Sequence, residues 1–453
     1  MTPCPWKRGA RRPDRPGSTV GPQQGAATLR RARRALPLIA FLVGSGGGCS
    51  SDGMPSEQTD VARAEKLAAD EALPQWPAQD AGRPVLLYVD RSRSMRGFLD
   101  PAYPGRVPTD YRSVLDGFAA RLRPARVFGF GNEVREAAHG LGVLGDPAFY
   151  SDGNTEMEEV LARVRADSSL DSTHVIMGDG RRTDPNAANG QFAYLREEAE
   201  RWTADGGTFI VAASHAPFTQ VASDASGCRG TAGDANGGRE TCPLYAFAFV
   251  APGDQRRVAT ALAATFENLF VTPLPALPPT GAHLAAGNGG GIAFRSKWTT
   301  NARGVPIARV RGPVASNQPL RARVALADTA SPAGRGAWAA LRGRRLVPRV
   351  SVRVLADDTA SARWQSSAAR GGLLRPADDP LAIDFITRGQ QAPRYLYRVE
   401  LHPDGEPVWL ERYDADAAGE PRRTYGLSRL FEGFRAVDPA AVPPVFRLYA
   451  VVN

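Results

Sequence analysis

Cysteine and histidine are scarce in this 453-residue chain, which has four of the former and five of the latter. The histidines are scattered along the sequence, so the residue pattern indicates neither a His-rich metal cluster nor a Ser-His-Asp catalytic arrangement. Coiled-coil heptads, collagen triplets and internal repeats are also lacking. We therefore expect a globular protein that is long enough for two domains.

The net charge of +9 is misleading as a sign of nucleic-acid binding. Residues 1–48 hold nine basic residues and one acidic residue, which leaves a net charge of only +1 for all the others. A nearly neutral body lacks the basic surface that phosphate backbones require. Nucleic acid is therefore not expected as a partner.

The basic N-terminal region has the features of an export signal. A basic cluster at residues 30–34 precedes the apolar segment 35–43, which is too short to span a bilayer, and small residues then lead to Cys49. This region resembles a bacterial lipoprotein signal, although Gly46 stands where a larger aliphatic residue is usual. We predict a signal peptide at residues 1–48, lipidation of Cys49 and a tether at residues 49–81. Cleavage by an ordinary signal peptidase is the alternative.

An exported lipoprotein is expected in the cell envelope. The lipid anchor would hold it at the periplasmic or outer-membrane face, or at the cell surface of a single-membrane cell. Such compartments are oxidising, which favours a disulfide between Cys228 and Cys242 in a Gly/Ala/Asp-rich segment. A zinc site would need more ligands than this segment supplies.

Strand and helix patterns alternate between residues 82 and 272. Residues 84–89 and 208–213 are continuous apolar runs, which are typical of strands buried on both faces. Apolar residues at helical spacing lie between such runs, as in Tyr111, Leu115, Phe118 and Leu122. This alternation predicts an α/β fold, with a doubly wound, mostly parallel, Rossmann-like sheet between two layers of helices.

The Pro/Gly-rich stretch at residues 273–291 is predicted to be a linker. Beyond it the apolar residues recur with a period of two, as in Val350, Val352 and Val354. Residues 292–453 are therefore predicted to form a β-rich domain, in the form of an antiparallel sandwich with a helical interruption near residues 427–434.

The motif Asp90-Arg91-Ser92-Arg93-Ser94 directly follows the first apolar run. Alternate residues on a turning loop can point the same way, so Asp90, Ser92 and Ser94 would offer one carboxylate and two hydroxyls to a common point. Hard oxygen ligands of this kind suit Mg²⁺, Mn²⁺ or Ca²⁺. Taken alone, the motif also fits a polar turn that caps the next helix.

Thr155 and Asp179 strengthen the metal interpretation. Thr155 lies directly before a predicted helix and Asp179 directly after a predicted strand. Loops that leave the carboxyl ends of parallel strands converge on one rim of the sheet, where ligands usually bind. Thr155 and Glu158 also match a capping box, and we expect Thr155 to have both roles. Nearby Asp152 and Asp184 are expected to be solvated loop residues.

With this set of residues, the region 82–272 resembles a von Willebrand factor A domain with a metal-ion-dependent adhesion site. Asp90, Ser92 and Ser94 match the Asp-x-Ser-x-Ser signature of that family, and Thr155 and Asp179 match its second and third loops. The resemblance implies that the three hydroxyls contact the cation directly and that the two carboxylates act largely through bridging waters. The cation, Mg²⁺ or else Mn²⁺ or Ca²⁺, would then keep an open position for an acidic group.

The resemblance implies a binding protein and not an enzyme. The expected function is adhesion or scaffolding in the envelope, with the cation docking a carboxylate of a protein partner. A metal-dependent hydrolase and a structural lipoprotein with a vestigial metal site are the alternatives. Arg91 and Arg93 either attract the acidic partner or are simply solvated, and Phe98 either contacts the partner or packs within its own loop. His215 is expected to be solvated or hydrogen-bonded.

Overall fold

The computed structural model of the chain describes most of the region that follows the predicted tether. The described residues are 62, 66, 73, 76–77, 79–99, 110–180, 185–218, 241–276, 279–286, 295–300, 306–311, 319–326, 332–354, 365–367, 369–370, 381–386, 395–415, 423–434 and 442–452. The predicted signal peptide, Cys49 and most of the tether lie outside these residues. No helix within the described ranges is both long and apolar enough to cross a membrane.

The N-terminal sheet has seven strands. They are Val85–Asp90 (β1), Arg126–Phe130 (β2), Arg135–Glu136 (β3), Thr173–Gly178 (β4), Thr208–Pro217 (β5), Thr241–Val250 (β6) and Asn268–Thr272 (β7). Their order across the sheet is β3-β2-β1-β4-β6-β5-β7. β1 is parallel to both of its neighbours, β2 and β4. The other neighbouring pairs are antiparallel.

Helices cover both faces of this sheet. They are Tyr111–Gly117 (α1), which continues as a π-helix at Phe118–Leu122, and Glu158–Ala166 (α2), Pro185–Ala204 (α3) and Gln255–Ala263 (α4). Short 3-10 helices lie at Arg93–Leu99, Gly140–Gly145 and Pro147–Phe149. Side chains alternate along β1, so Leu87 packs in one apolar cluster with α1 and α4, while Tyr88 packs in the opposite cluster with α2 and α3.

The α/β class is confirmed, but the sheet is mixed. β1, β2, β4 and β5 run in one direction, whereas β6 is inserted between β4 and β5 in the opposite direction. Two adjacent parallel strands need a long crossover, usually through a helix. The segment between β5 and β6, residues 218–240, is rich in Gly, Ala, Ser and Asp and has no helical pattern in its sequence. Antiparallel pairing of β5 with β6 is consistent with that composition.

The second half of the chain is rich in strands, as predicted. The strands are Pro279–Ala286 (β8), Arg295–Thr300 (β9), Pro306–Arg311 (β10), Pro319–Leu326 (β11), Arg344–Val354 (β12), Gln365–Ser367 (β13), Ala369–Arg370 (β14), Leu381–Ile386 (β15), Tyr395–Pro407 (β16), Asp414–Ala415 (β17), Thr424–Tyr425 (β18) and Phe446–Val452 (β19). The helices are Pro332–Arg342 (α5), Leu410–Tyr413 (α6) and Ser428–Glu432 (α7). α7 lies where a helical interruption was predicted, and β8 lies within the predicted linker.

These strands form two larger sheets and a small pair. The six-stranded sheet has the order β13-β12-β16-β19-β10-β9, the four-stranded sheet has the order β14-β15-β11-β8, and β17 pairs with β18. The four-stranded sheet is antiparallel throughout. The six-stranded sheet contains one parallel pair, β10 with β19. A sandwich arrangement of the two sheets remains a prediction.

The two halves share apolar packing. The ring centroids of Phe270 in β7 and Phe431 in α7 lie 4.8 Å apart. The indole Nε1 of Trp409 donates to the carbonyl oxygen of Leu269 at 3.4 Å. Buried Arg344, at the start of β12, lies over the Phe270 ring and donates to a carbonyl oxygen of β7 at 3.0 Å. The region Pro55–Asn453 accordingly forms one compact unit.

Candidate metal centre

The first loop of the candidate site begins where β1 ends. Asp90 is the last residue of the strand and is fully buried. Its Oδ1 accepts a hydrogen bond from the backbone N–H of Ser92 at 2.7 Å, which turns the chain tightly around the carboxylate. The hydroxyls of Ser92 and Ser94 lie 2.8 Å apart. Alternate residues of the motif therefore do present their oxygens to a common region.

The second and third loops bring Thr155 and Asp179 to the same place. The Thr155 hydroxyl donates towards the Asp90 carboxylate, at 3.3 Å from Oδ2 and 3.4 Å from Oδ1. Val89 pairs with Met177 across the parallel strands β1 and β4, so the ends of these two strands lie side by side. Gly178 packs so closely on Asp90 that an added Cβ would lie 2.9 Å from the Asp90 Cβ. Asp179 follows directly and is buried.

The electrostatics of the two carboxylates are unfavourable without a counter-charge. Burial raises the pKa of Asp90 well above its usual value, and the nearby charge of Asp179 raises that pKa further. Hydrogen bonds from Ser92 and Thr155 act in the opposite direction and lower it. Two like charges in a buried site destabilise each other, because little solvent screens them. A group of positive charge at this place would remove the penalty.

The donor set fits a hard divalent cation. It comprises two carboxylates and three hydroxyls from three loops, with Ser94 only half-buried at its edge. All of these donors are oxygen atoms, which is the ligand type that Mg²⁺, Mn²⁺ and Ca²⁺ prefer. Within the described ranges, no group of three or more His, Cys, Asp or Glu side chains is placed to hold a metal ion. The candidate centre has a different composition, because hydroxyls supply three of its five side chains.

The arginines of the motif hold the first loop against residues 149–152. Arg91 donates from Nε to the carbonyl oxygen of Phe149 at 3.2 Å, and its Nη2 lies 3.6 Å from the Asp152 carboxylate. Arg93 donates from Nε to the carbonyl oxygen of Ser151 at 3.3 Å. The backbone N–H of Arg93 donates to the carbonyl oxygen of Asp152. Arg91 is therefore a structural residue of the loop and not a solvated one.

Asp152 is a component of this scaffold, so the prediction that it is a solvated loop residue is wrong. It forms an isolated parallel bridge with Ser92, and its carboxylate accepts a hydrogen bond from the backbone N–H of Asn132 at 3.2 Å. Its side chain is only 12% exposed. The sequence spacing contained no signal for this, because the contact joins two loops that are distant along the chain.

The remaining residues of interest occupy ordinary structural positions. α2 begins at Glu158 and has Met157 at its N-cap. The predicted capping box between Thr155 and Glu158 stays a prediction. Phe98 is buried, and its ring centroid lies 5.1 Å from that of Phe218, which directly follows β5. The His215 ring stacks on Tyr413 with 4.4 Å between centroids.

Asp184 and Cys228 lie outside the described residues. The pairing of Cys228 with Cys242, which is buried at the start of β6, stays a prediction.

Two residues near the centre, Tyr245 and Thr424, were missed from the sequence. Gly180 has a φ of +67°, and Tyr245 and Thr424 pack directly against it. The Gly-Asp-Gly triplet that contains Asp179 was a signal for a tight turn, but nothing in the sequence linked it to residues of β6 and β18.

Comparisons of the chain with models of protein families, with curated proteins and with solved structures found no match.

Proposed function

We propose that this chain is an envelope-anchored binding protein, which docks an acidic group of a protein partner on a divalent cation. The observation that carries the proposal is the convergence of Asp90, Ser92, Ser94, Thr155 and Asp179, from three loops, around two buried like charges. The von Willebrand factor A resemblance and the lipoprotein-like signal supply the functional class and the anchor.

The five proposed ligands would have different roles at the cation. The hydroxyls of Ser92, Ser94 and Thr155 are neutral donors, and Asp90 and Asp179 supply the negative charge that offsets the cation. A bound Mg²⁺ or Mn²⁺ would supply a Lewis-acidic position for a carboxylate oxygen of the partner. Half-buried Ser94 marks the side from which that carboxylate would approach. The scaffold formed by Arg91 and Asp152 keeps the first loop in place during docking.

Cation binding is tested by thermal unfolding of the full chain. We expect millimolar Mg²⁺ or Mn²⁺ to raise the melting temperature, because a ligand at about 100 times its Kd stabilises the folded state by about 2.7 kcal/mol. The gain should disappear in Asp90→Ala and in Ser92→Ala. Asp110→Ala is the matched control, since Asp110 caps α1 and is not one of the five proposed ligands, so its loss should leave the cation-dependent gain intact.

Absence of any cation-dependent gain in the wild-type chain would contradict the proposal. If both ligand variants kept the full cation-dependent gain in melting temperature, the cation would bind at another site. Partner docking is then tested by capture of envelope proteins on the immobilised chain with Mg²⁺ and with EDTA. A partner that is retained equally in EDTA does not bind through this centre.

A further inference from the structure

The loop that carries Asp179 is held by side chains from outside the metal-binding loops. Gly180 has a left-handed backbone conformation, with φ +67°, and its neighbours are close. An added Cβ would lie 3.0 Å from Cδ2 of Tyr245 and 3.6 Å from Cγ2 of Thr424. The backbone directly after Asp179 therefore rests on these two side chains.

Tyr245 is itself fixed from several directions. It lies on β6, in register with Gly178 of β4, so it is a direct strand neighbour of the residue before Asp179. Its ring stacks on Phe247 with 5.7 Å between centroids and meets the edge of Tyr413 at 6.1 Å. Its hydroxyl lies 2.9 Å from the hydroxyl of Thr424, and both residues are buried.

Thr424 belongs to the second half of the chain and is held there by the small strand pair. It begins β18, which pairs with β17 in the register Asp414 to Thr424. The Asp414 carboxylate also accepts a hydrogen bond from the backbone N–H of Ser428 at the start of α7. A contact path therefore runs from α7 and β17, through Thr424 and Tyr245, to the backbone beside Asp179.

We propose that Thr424 and Tyr245 are positioning residues of the cation site, which set the Asp179 loop through their mutual hydrogen bond and their packing on Gly180. The inference rests on the proposed function, because it presupposes that the five loop residues bind a cation. It adds that the site is completed by the second half of the chain, so the β-rich region contributes to metal affinity and is not only a support.

The test is a calorimetric Mn²⁺ titration of the full chain and its variants, at a temperature where circular dichroism shows all of them folded. Thr424→Val keeps the shape of the side chain and removes the hydroxyl, and we expect about a three- to tenfold weaker Mn²⁺ affinity, the range that loss of one buried hydrogen bond implies. Thr424→Ser keeps the hydroxyl and should retain most of the affinity.

Tyr245→Phe removes the other half of the same hydrogen bond. It should weaken Mn²⁺ binding by a similar factor, and the double variant Tyr245→Phe with Thr424→Val should lose little more, because both changes break one interaction. The matched control is Thr173→Val. Thr173 is a fully buried threonine at the opposite end of β4, where its hydroxyl accepts from the backbone N–H of Ala251 at 3.1 Å. Its loss should lower stability and leave Mn²⁺ affinity unchanged.

The outcomes separate the two proposals. If the wild-type chain binds Mn²⁺ and both Thr424→Val and Tyr245→Phe bind it equally well, the positioning role is wrong and the proposed function stands. An equal loss of affinity in Thr173→Val would reduce the effect to general destabilisation and would also overturn the role. If the wild-type chain binds no Mn²⁺, the proposed function fails, and the positioning role fails with it.

Discussion

Asp90 and Asp179 are the residues whose environment most needs an explanation. Both carboxylates are almost inaccessible to solvent, and the charge of one raises the pKa of the other. Burial disfavours the charged form of a carboxylate, because it removes water from around the charge. Hydrogen bonds from Ser92 and Thr155 satisfy oxygens of Asp90 but do not neutralise its charge. At the scale of single residues, this arrangement is one that the proposed cation would stabilise.

This reasoning predicts that removal of one charge stabilises the cation-free protein. Asp90→Asn keeps the shape and an acceptor oxygen for Ser92, so in EDTA at pH 8 we expect a higher melting temperature than in the wild type, by about 1–2 °C for each kcal/mol of relieved repulsion in a cooperative unit of this size. Added Mg²⁺ should no longer raise the melting temperature. Differential scanning calorimetry with and without Mg²⁺ measures both effects.

Asp110→Asn is the matched control for that variant. Asn is as good an N-cap residue as Asp, so the control should melt close to the wild type and should keep the response to Mg²⁺. A lower melting temperature of Asp90→Asn in EDTA would show that the buried pair is not unfavourable in the cation-free chain.

At the scale of elements, helices α4 and α5 make a close contact between the two halves. Gly336 in α5 lies against the backbone of α4, and an added Cβ would be 2.7 Å from the backbone nitrogen of Thr260. Such an approach is possible only without a side chain at this position. The glycine is therefore required by the packing of two helices and not by a turn.

We expect Gly336→Ala to lower the free energy of unfolding by about 1–3 kcal/mol, because overpacking forces the helices apart. Gly190→Ala in α3 is the matched control, since its added Cβ would make only an ordinary contact, 3.7 Å from the Tyr194 ring. There the higher helix propensity of alanine should raise stability by up to about 1 kcal/mol. Urea denaturation of both variants measures the difference, and a gain in both would disprove the close helix contact.

The strand pair β17–β18 shows why part of the site was not predictable. Each strand has only two residues, so neither can show the alternation that identifies a strand in a sequence. The ends of β1 and β4 were predictable, because long apolar runs mark buried strands and place Asp90 and Asp179 at their carboxyl ends. The antiparallel insertion of β6 depends on long-range pairing, which the local pattern does not encode.

At the scale of the whole molecule, the second half of the chain contributes side chains to the apolar clusters on both faces of the first sheet. Trp409, Tyr413, Leu430 and Phe431 are buried in the same apolar cluster as Phe270 and Tyr245. Full burial of four such side chains contributes on the order of 10 kcal/mol. That is similar to the whole stability of an ordinary domain, about 5–15 kcal/mol. The two halves are therefore expected to depend on each other for folding.

A truncation tests this dependence. Residues 76–276 retain all five proposed ligands but lose the side chains that cover Phe270, so we expect a fragment that binds a hydrophobic dye and unfolds without a cooperative transition. The matched longer chain, residues 76–453, should unfold in one cooperative transition by calorimetry. A fragment 76–276 that melts cooperatively near the temperature of the longer chain would show that the first half is an independent domain.

From its residues alone, the sequence predicted the α/β class of the first half, the β-rich character of the second and the five residues that are candidate oxygen donors. It could do so because hydrophobic periodicity is local and because parallel strands end at a common rim. The folded structure was needed to show that β6 runs antiparallel between β4 and β5, that Asp152 and Arg91 hold the first loop, and that Thr424 reaches Gly180. These features depend on contacts between segments that are distant along the chain. Such contacts stabilise the fold only when the whole core has packed.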